Sequence, residues 1–278
     1  MPLVPTSQIL DQAVAGNYGQ GAFNVIHLET AQALIAGAQE VNRPVILQIS
    51  ENCVKYHGSL RPIALAALAM AEEASVPVAL HLDHAEDEVL VYQALDLGFG
   101  SVMYDGAKLP FAQNVEATRR VVAAARRVGA SVEAELGEIG GKDGAHAPGV
   151  RTDPDEAVQF VQSTGVDSLA VAVGSSHAML ERGASLDLGL IAALHAAVDV
   201  PLVLHGSSGV SDETLVAGIR AGMRKINVST HLNGYFTRAV REWLGANEQA
   251  VDSRKYLASG RSAMSAEAGR MLELFASA

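Results

Sequence analysis

One cysteine in 278 residues leaves no room for an internal disulfide, and a lone Cys53 suits a reducing compartment. Basic charge is also short. With 20 Lys and Arg against 31 Asp and Glu the net charge is -11, which argues against a nucleic-acid partner held through phosphate contacts. A local site for a small anion survives that balance. Long apolar runs are missing too: the longest, IALAALAMA at 63–71, is half the ~18 residues that a membrane-spanning helix requires. No charged n-region with a following apolar h-region opens the chain. These absences predict a soluble, cytoplasmic protein with neither a membrane nor a nucleic-acid partner.

What is present is a rhythm. Short apolar or β-branched runs occur at AFNV (22–25), VILQIS (45–50), VALHLD (78–83), SVMYD (101–105), SVEAEL (131–136), SLAVAV (168–173), PLVLHG (201–206) and KINVS (225–229). Between them lie longer stretches with apolar spacings of three and four, such as ETAQALIAGAQE (29–40), EDEVLVYQALDLG (86–98) and VEATRRVVAAARRVG (115–129). The last two end in the glycine expected at a helix C-terminus. Asp153, before Pro154, and Ser211, before Asp212, are suited to cap helix N-termini. Eight strands alternating with helices imply parallel pairing, and the length is close to the ~250 residues of a (β/α)8 TIM barrel. The rival open doubly wound sheet needs a glycine fingerprint after the first strand, where this chain reads VIHLET. The expected organisation is α/β, one barrel domain over 1–278, with 246–278 as a helical tail.

In a barrel the chemistry belongs at the C-terminal strand ends, and that is where the polar residues of this sequence gather. Asn24, Gln48 and Ser50 end the first two strands; Asp83 and His84 end the third, and Asp105 the fourth. The fifth carries Glu133 and Glu135. The sixth leads through Gly174, Ser175 and Ser176 to His177, the seventh to His205, Gly206, Ser207 and Ser208, and the eighth to Asn227, Val228, Ser229 and Thr230. The opposite strand ends show nothing comparable. Three histidines converging from distant strands, His84, His177 and His205, are a three-nitrogen set for a borderline ion such as Zn²⁺ with one position open. Neighbouring strand residues face opposite sides, so Asp83 and His84 share the site only if the strand has ended by residue 83. Asp83 is then placed to move a proton, while His81 packs or hydrogen-bonds inside the barrel. HGSSG and NVST offer hydroxyls and backbone N–H groups leading into helices, which suits phosphate. A metal, a carboxylate and a phosphate cradle together fit cleavage of a phosphorylated ketose.

These segments resemble the class II, zinc-dependent ketose-bisphosphate aldolases, which act on fructose or tagatose 1,6-bisphosphate. The motifs are ALHLDH, VEAELGEIGG, GVDSLAVAVGSSH and VPLVLHGSSG, and the likeness runs from AFN near residue 22 to RKYL at 254–257. The resemblance implies a lyase that releases dihydroxyacetone phosphate and an aldehyde through a metal-stabilised enediolate. It implies that His84, His177 and His205 bind the catalytic zinc and that Asp83 is the proton donor and acceptor. Asp105 and Glu135 match an auxiliary metal site. Gly206, Ser207, Ser208 and Asn227, Val228, Ser229 and Thr230 match the dihydroxyacetone-phosphate contacts, Ser50 the aldehyde side, and Asn24 the substrate-binding set. The loop from Glu138 to Arg151 looks like a lid whose acid aligns with Asp143. A second divalent metal, a monovalent cation (Na⁺ or K⁺) and a homodimer or homotetramer are implied in the same way.

The chain departs from the family's pattern at specific places. Where Gly-x-Tyr-Lys usually follows the zinc histidine, it reads Ala178-Met179-Leu180-Glu181. Ala178 is able to make the same backbone contact, while the acid in place of the usual Lys weakens a nearby phosphate unless Arg182 substitutes. Thr230-His231 replaces the common Thr-Asp or Thr-Glu, and Arg254 is a candidate for a distal phosphate, including one reached across a subunit interface. The substrate is accordingly fructose 1,6-bisphosphate or a related phosphorylated or deoxy sugar. Two other readings compete. A metal-dependent hydrolase of the amidohydrolase type would need His-x-His at the first strand, which AFNVIH lacks, and a non-catalytic metal-binding barrel would have no need to keep Asp83.

Overall fold

A computed structural model describes residues 2–137, 150–176 and 182–278. Eight parallel strands close into a barrel in sequence order. They are β1 (Gln20–Asn24), β2 (Val45–Ser50), β3 (Val78–Ala85), β4 (Ser101–Tyr104), β5 (Ser131–Leu136), β6 (Ser168–Val171), β7 (Leu202–Leu204) and β8 (Met223–Val228). β1 pairs with both β2 and β8, which completes the ring. The barrel expected from the alternating pattern is the one observed.

The helices are α1 (Thr6–Gly16), α2 (Leu28–Glu40), α3 (Glu51–His57), α4 (Arg61–Glu73), α5 (Glu88–Asp96), α6 (Phe111–Val128), α7 (Pro154–Thr164), α8 (Leu188–Ala197), α9 (Asp212–Ala221), α10 (Thr230–Ala246) and α11 (Ser253–Ala276). The anticipated caps are in place. Asp153 accepts hydrogen bonds from the Asp155 and Glu156 backbone N–H groups at 2.9 and 3.0 Å, and Ser211 accepts from Thr214 at 3.3 Å. Each satisfies first-turn donors that have no partner within the helix. α6 ends on Gly129 at φ 74°.

Alternation along the strands separates two packed layers. Outward residues such as Phe23, Leu47, Leu80, Val132, Leu204 and Val228 are buried beneath the helices. Inward residues at the N-terminal end, Ala22, Ile46 and Ala79, pack with Ile9 and Leu10 of α1. This helix, which periodicity did not single out, plugs the bottom of the barrel. The N-terminal end is also more polar than the sequence suggests. Thr6, His81, Ser101, Ser131, Glu133 and Ser168 line a cavity of about 410 Å³ there, and Thr6 Oγ1 lies 2.6 Å from Ser101 Oγ.

The tail packs on its own barrel. α11 crosses α2 so closely that a Cβ on Gly37 would lie 2.4 Å from the Ser265 carbonyl oxygen. Its Gly260 faces the ring of Phe236 from α10. Among the described residues, no helix is long and apolar enough to cross a membrane.

Candidate active site

At the C-terminal mouth a cavity of about 360 Å³ is lined by Asn24, Ser50, Asp83, His84, His205, Gly206, Ser208, Asn227, Ser229 and Thr230, among others. Asp83 is inward by simple alternation after Ala79 and His81. His84 should then point outward. It does not, because its φ is 49° and the β3–β4 register shifts between Leu82 and Ala85. β3 does not end at residue 83 as expected; it runs to Ala85, and a left-handed residue within it brings two consecutive side chains to one site. A left-handed backbone at a residue other than glycine is uncommon and costs ~1–3 kcal/mol, a strain that collects at functional sites.

The two described histidines are aimed by carboxylates. His84 Nδ1 lies 2.9 Å from Asp105 Oδ2, and His205 Nε2 lies 2.8 Å from Glu133 Oε1. A carboxylate accepts, so each outer nitrogen carries the proton. The inner nitrogens, His84 Nε2 and His205 Nδ1, therefore present lone pairs to each other at 2.7 Å. Two acceptors converging on one point suit a cation between them, and a carboxylate behind each imidazole is the usual outer support of a metal ligand. Ligand atoms of Asp83, His84 and His205 all lie within 4.8 Å of one another. These residues fit a divalent metal.

Asp105 and Glu135, expected at an auxiliary metal, do converge with His84. Glu135 Oε2 is 3.9 Å from His84 Nδ1. The hydrogen bond from His84 gives Asp105 a second, orienting use. Glu133, left unassigned by the sequence reading, holds the equivalent place behind His205. The i, i+2 spacing of VEAEL, which puts both glutamates on the inward face, was the available signal.

Asp83 is held by two amides. Asn24 Nδ2 donates to its Oδ2 at 2.8 Å, and Asn227 Nδ2 lies 3.5 Å from its Oδ1. Gln48 Nε2 in turn donates to Asn24 Oδ1 at 2.9 Å. Beneath this layer His81 is buried with Nδ1 2.7 Å from Ser101 Oγ. Burial, helped by the neighbouring Lys225 charge, holds its pKa well below the usual histidine value. It is a neutral member of the barrel interior, as anticipated.

The phosphate-side residues divide. Gly206 adopts φ 65°, and a Cβ there would lie 2.6 Å from the Ser176 carbonyl carbon, so only glycine fits this turn. Ser208 Oγ accepts from Ser229 N–H at 3.3 Å, tying the seventh and eighth strand ends together. Ser229 precedes the first turn of α10 without a side-chain cap bond. Ser207 is buried with its hydroxyl donating to the Asn227 carbonyl, so it braces the turn. Val228 turns its side chain outward into the core, so only its backbone is left to meet a ligand. On the other side Ser50 caps α3 and lines the cavity.

Two arginines stand away from the cavity of their own chain. Arg182 donates to the Val210 carbonyl at 2.7 Å and pairs with Asp212 at 2.6 Å. Arg254 is exposed and pairs with Asp252 at 2.9 Å. Neither lines the cavity of its own chain. His177, Ala178, Glu181 and Asp143, with most of the loop at 138–151, lie outside the described residues. The sequence reading also missed the rim formed by Glu51, Asn52, Lys55, Glu86 and Lys108. Helix-start material rich in charge gave no sign of which side chains lean inward.

The profile of the class II fructose-bisphosphate aldolases matches residues 4–278. The chain belongs to this family. It is 32% identical to the YdjI aldolase of Escherichia coli K12, over 98% of this chain and 97% of that one, with a TM-score of 0.86. A Coccidioides immitis protein described as a candidate fructose-1,6-bisphosphate aldolase is 30% identical, over 98% of this chain and 96% of that one, with a TM-score of 0.87. The fructose-bisphosphate aldolase of Campylobacter jejuni, at 22% identity over 98% and 95% of the two chains, shares the fold with a TM-score of 0.81. Membership of an aldolase family agrees with the site, where imidazoles, a carboxylate and a glycine turn meet at one barrel mouth.

Proposed function

We propose that this family member is a zinc-dependent aldolase that reversibly splits a phosphorylated ketose, fructose 1,6-bisphosphate or a close relative, into dihydroxyacetone phosphate and an aldehyde. The carrying observation is the pair of lone-pair nitrogens on His84 and His205 beside Asp83, whose carboxylate faces the same cavity. His84 and His205, with His177 carried over from the motif GVDSLAVAVGSSH, would hold the ion; an all-imidazole set suits zinc. When bound, such an ion supplies Lewis-acid polarisation of a carbonyl and stabilises developing negative charge.

The chain's own residues supply the rest. In the cleavage direction Asp83 takes the proton from the hydroxyl at C4 as the C3–C4 bond breaks. The electron pair of that bond passes to the dihydroxyacetone phosphate half, and C4 leaves as the aldehyde carbon. In synthesis Asp83 returns the proton to the new hydroxyl. Asn24 and Asn227 keep its oxygens aimed throughout. Gly206, Ser208, Ser229 and Thr230 form the phosphate side, where backbone N–H groups at the start of α10 favour an anion. Asp143, from sequence alone, is proposed as the acid of a covering loop that delivers the proton to C3 of that half, completing dihydroxyacetone phosphate.

One observation favours a second substrate reading. Among the described residues the cavity's lysines are each matched by a glutamate, Lys55 by Glu51 at 2.8 Å and Lys108 by Glu86 at 3.0 Å. A charge-balanced aldehyde side suits hydroxyls better than a second phosphate.

The test is triose-phosphate release from fructose 1,6-bisphosphate, tagatose 1,6-bisphosphate and a ketose 1-phosphate, before and after chelation and zinc return. Release that the chelator abolishes and zinc restores supports the aldolase. A higher kcat/KM on the monophosphate selects the second reading, and no release from any ketose with zinc present overturns both.

A further inference from the structure

Lys225 is fully buried in the middle of the barrel. Its ammonium lies 2.9 Å from Glu133 Oε2 and donates to Asn227 Oδ1 at 2.9 Å. A buried lysine that served only packing would be a costly choice, because taking an ion pair out of water is repaid only by good geometry and further hydrogen bonds. Here both of its contacts lead to the active site, by separate routes.

The first route runs through Glu133. Its other oxygen, Oε1, accepts from His205 Nε2, so the lysine and the histidine share one carboxylate. The second runs through Asn227, two residues along β8 and on the same inward face. An ammonium has donors only, so the amide atom facing it must be the oxygen. That choice turns Asn227 Nδ2 toward Asp83 Oδ1, 3.5 Å away, and against His205, whose ring nitrogens are 3.2 and 3.4 Å distant. On the strands between the partners the inward residues are Ser168 and Ala170 on β6 and Val203 on β7.

We propose that Lys225 is a positioning residue that aims His205 and Asp83 together, through Glu133 on one side and Asn227 on the other. One buried charge thus couples the metal-holding side of the site to its proton-transfer side. The inference rests on the proposed function, because it concerns the same His205 and Asp83.

The test uses the full-length protein carrying Lys225→Met together with Glu133→Gln. This pair removes both buried charges at nearly constant shape, so neither is left uncompensated and the barrel is expected to fold. Cobalt(II) is the probe. Its affinity is read by chelator competition and its site geometry by the visible spectrum, with no substrate present. Steady-state kinetics on the best ketose follow. The expected result is a ~10–100-fold loss of cobalt affinity, the range for changes behind a metal ligand. A shifted visible spectrum accompanies it, and kcat falls while KM stays within about threefold. Lys225→Met alone, which leaves the Glu133 carboxylate bonded to His205, is read the same way if the double variant melts early. A folded variant with wild-type cobalt affinity, spectrum and kcat overturns the proposal. Wild-type protein that binds no cobalt sinks the proposed function, and this inference with it; wild-type activity beside an unaffected variant sinks the inference alone.

Discussion

His84 Nε2 and His205 Nδ1 face each other across 2.7 Å, and behind each ring stands a carboxylate, Asp105 for one and Glu133 for the other. The carboxylates fix which nitrogen of each ring turns inward. Asp105→Asn keeps the shape but lets an amide present either a donor or an acceptor to His84, so the imidazole loses its single orientation. Zinc affinity, measured by competition with a chromogenic chelator, is expected to fall ~10–100-fold. An unchanged affinity would remove Asp105 from this role.

Asp83→Asn separates binding from chemistry. An amide cannot take the hydroxyl proton, and general-base catalysis contributes ~10²–10⁴-fold. The expected outcome is a kcat loss in that range with KM and zinc content near wild type. Both are measurable in one preparation, by turnover and elemental analysis. If zinc content falls in step with kcat, Asp83 is supporting the metal rather than moving a proton.

Sequence reading reached the barrel because parallel strands buried on both faces are continuous apolar runs, and polar residues at their ends stand out against that background. Asp83, His205 and Asn227 were visible for this reason. Three things were not. α1 has an ordinary amphipathic pattern, and only the three-dimensional fit of Ile9 and Leu10 against Ala22, Ile46 and Ala79 shows that it plugs the barrel. The turn of His84 into the site depends on a φ of 49° that no residue preference announces. Lys225 lies in KINVS, where a lysine reads as a strand-edge charge. Its burial follows from partners on β5, nearly a hundred residues earlier in the chain. Val228 is the opposite case, a motif residue whose side chain alternation sends outward into the core.

The tail helix makes a separate stability prediction. Gly37 on α2 meets the backbone of α11, with the Ser265 oxygen 2.4 Å and the Gly269 nitrogen 2.9 Å from where a Cβ would stand. Backbone cannot swing aside as a flexible side chain can. Gly37→Ala would normally favour a helix by ~1 kcal/mol, yet here overpacking should cost ~1–3 kcal/mol and reverse the sign. Chemical denaturation should show a lower midpoint for the variant. A higher midpoint would mean that α2 and α11 have slack between them.

The residue pair His231 and Glu267 joins the rim of the cavity to that same tail. His231 Nε2 on the first turn of α10 lies 2.6 Å from Glu267 Oε1 on α11. Arg270 binds both Glu267 oxygens, at 2.6 and 2.9 Å, and reaches Asp212 at 2.7 Å. Burial alone would raise the Glu267 pKa, but the hydrogen bonds from Arg270 and His231 bring it down to about 2. In the unfolded chain it returns to ~4.3. A depressed carboxylate stabilises the fold above its unfolded pKa, and that contribution drains away as pH falls from about 4 toward 2. Asp212, lowered by Arg270 and Arg182 against its own burial, acts in the same direction. Melting of wild type and Glu267→Gln should therefore differ most at pH 6, and the gap should close steadily below pH 4. Because His231 adjoins Thr230 at the cavity, the variant should also raise KM at pH 7 while leaving kcat within a few-fold. A melting gap that stayed constant from pH 6 to pH 2.5 would show that Glu267 stabilises by its shape and not by its charge.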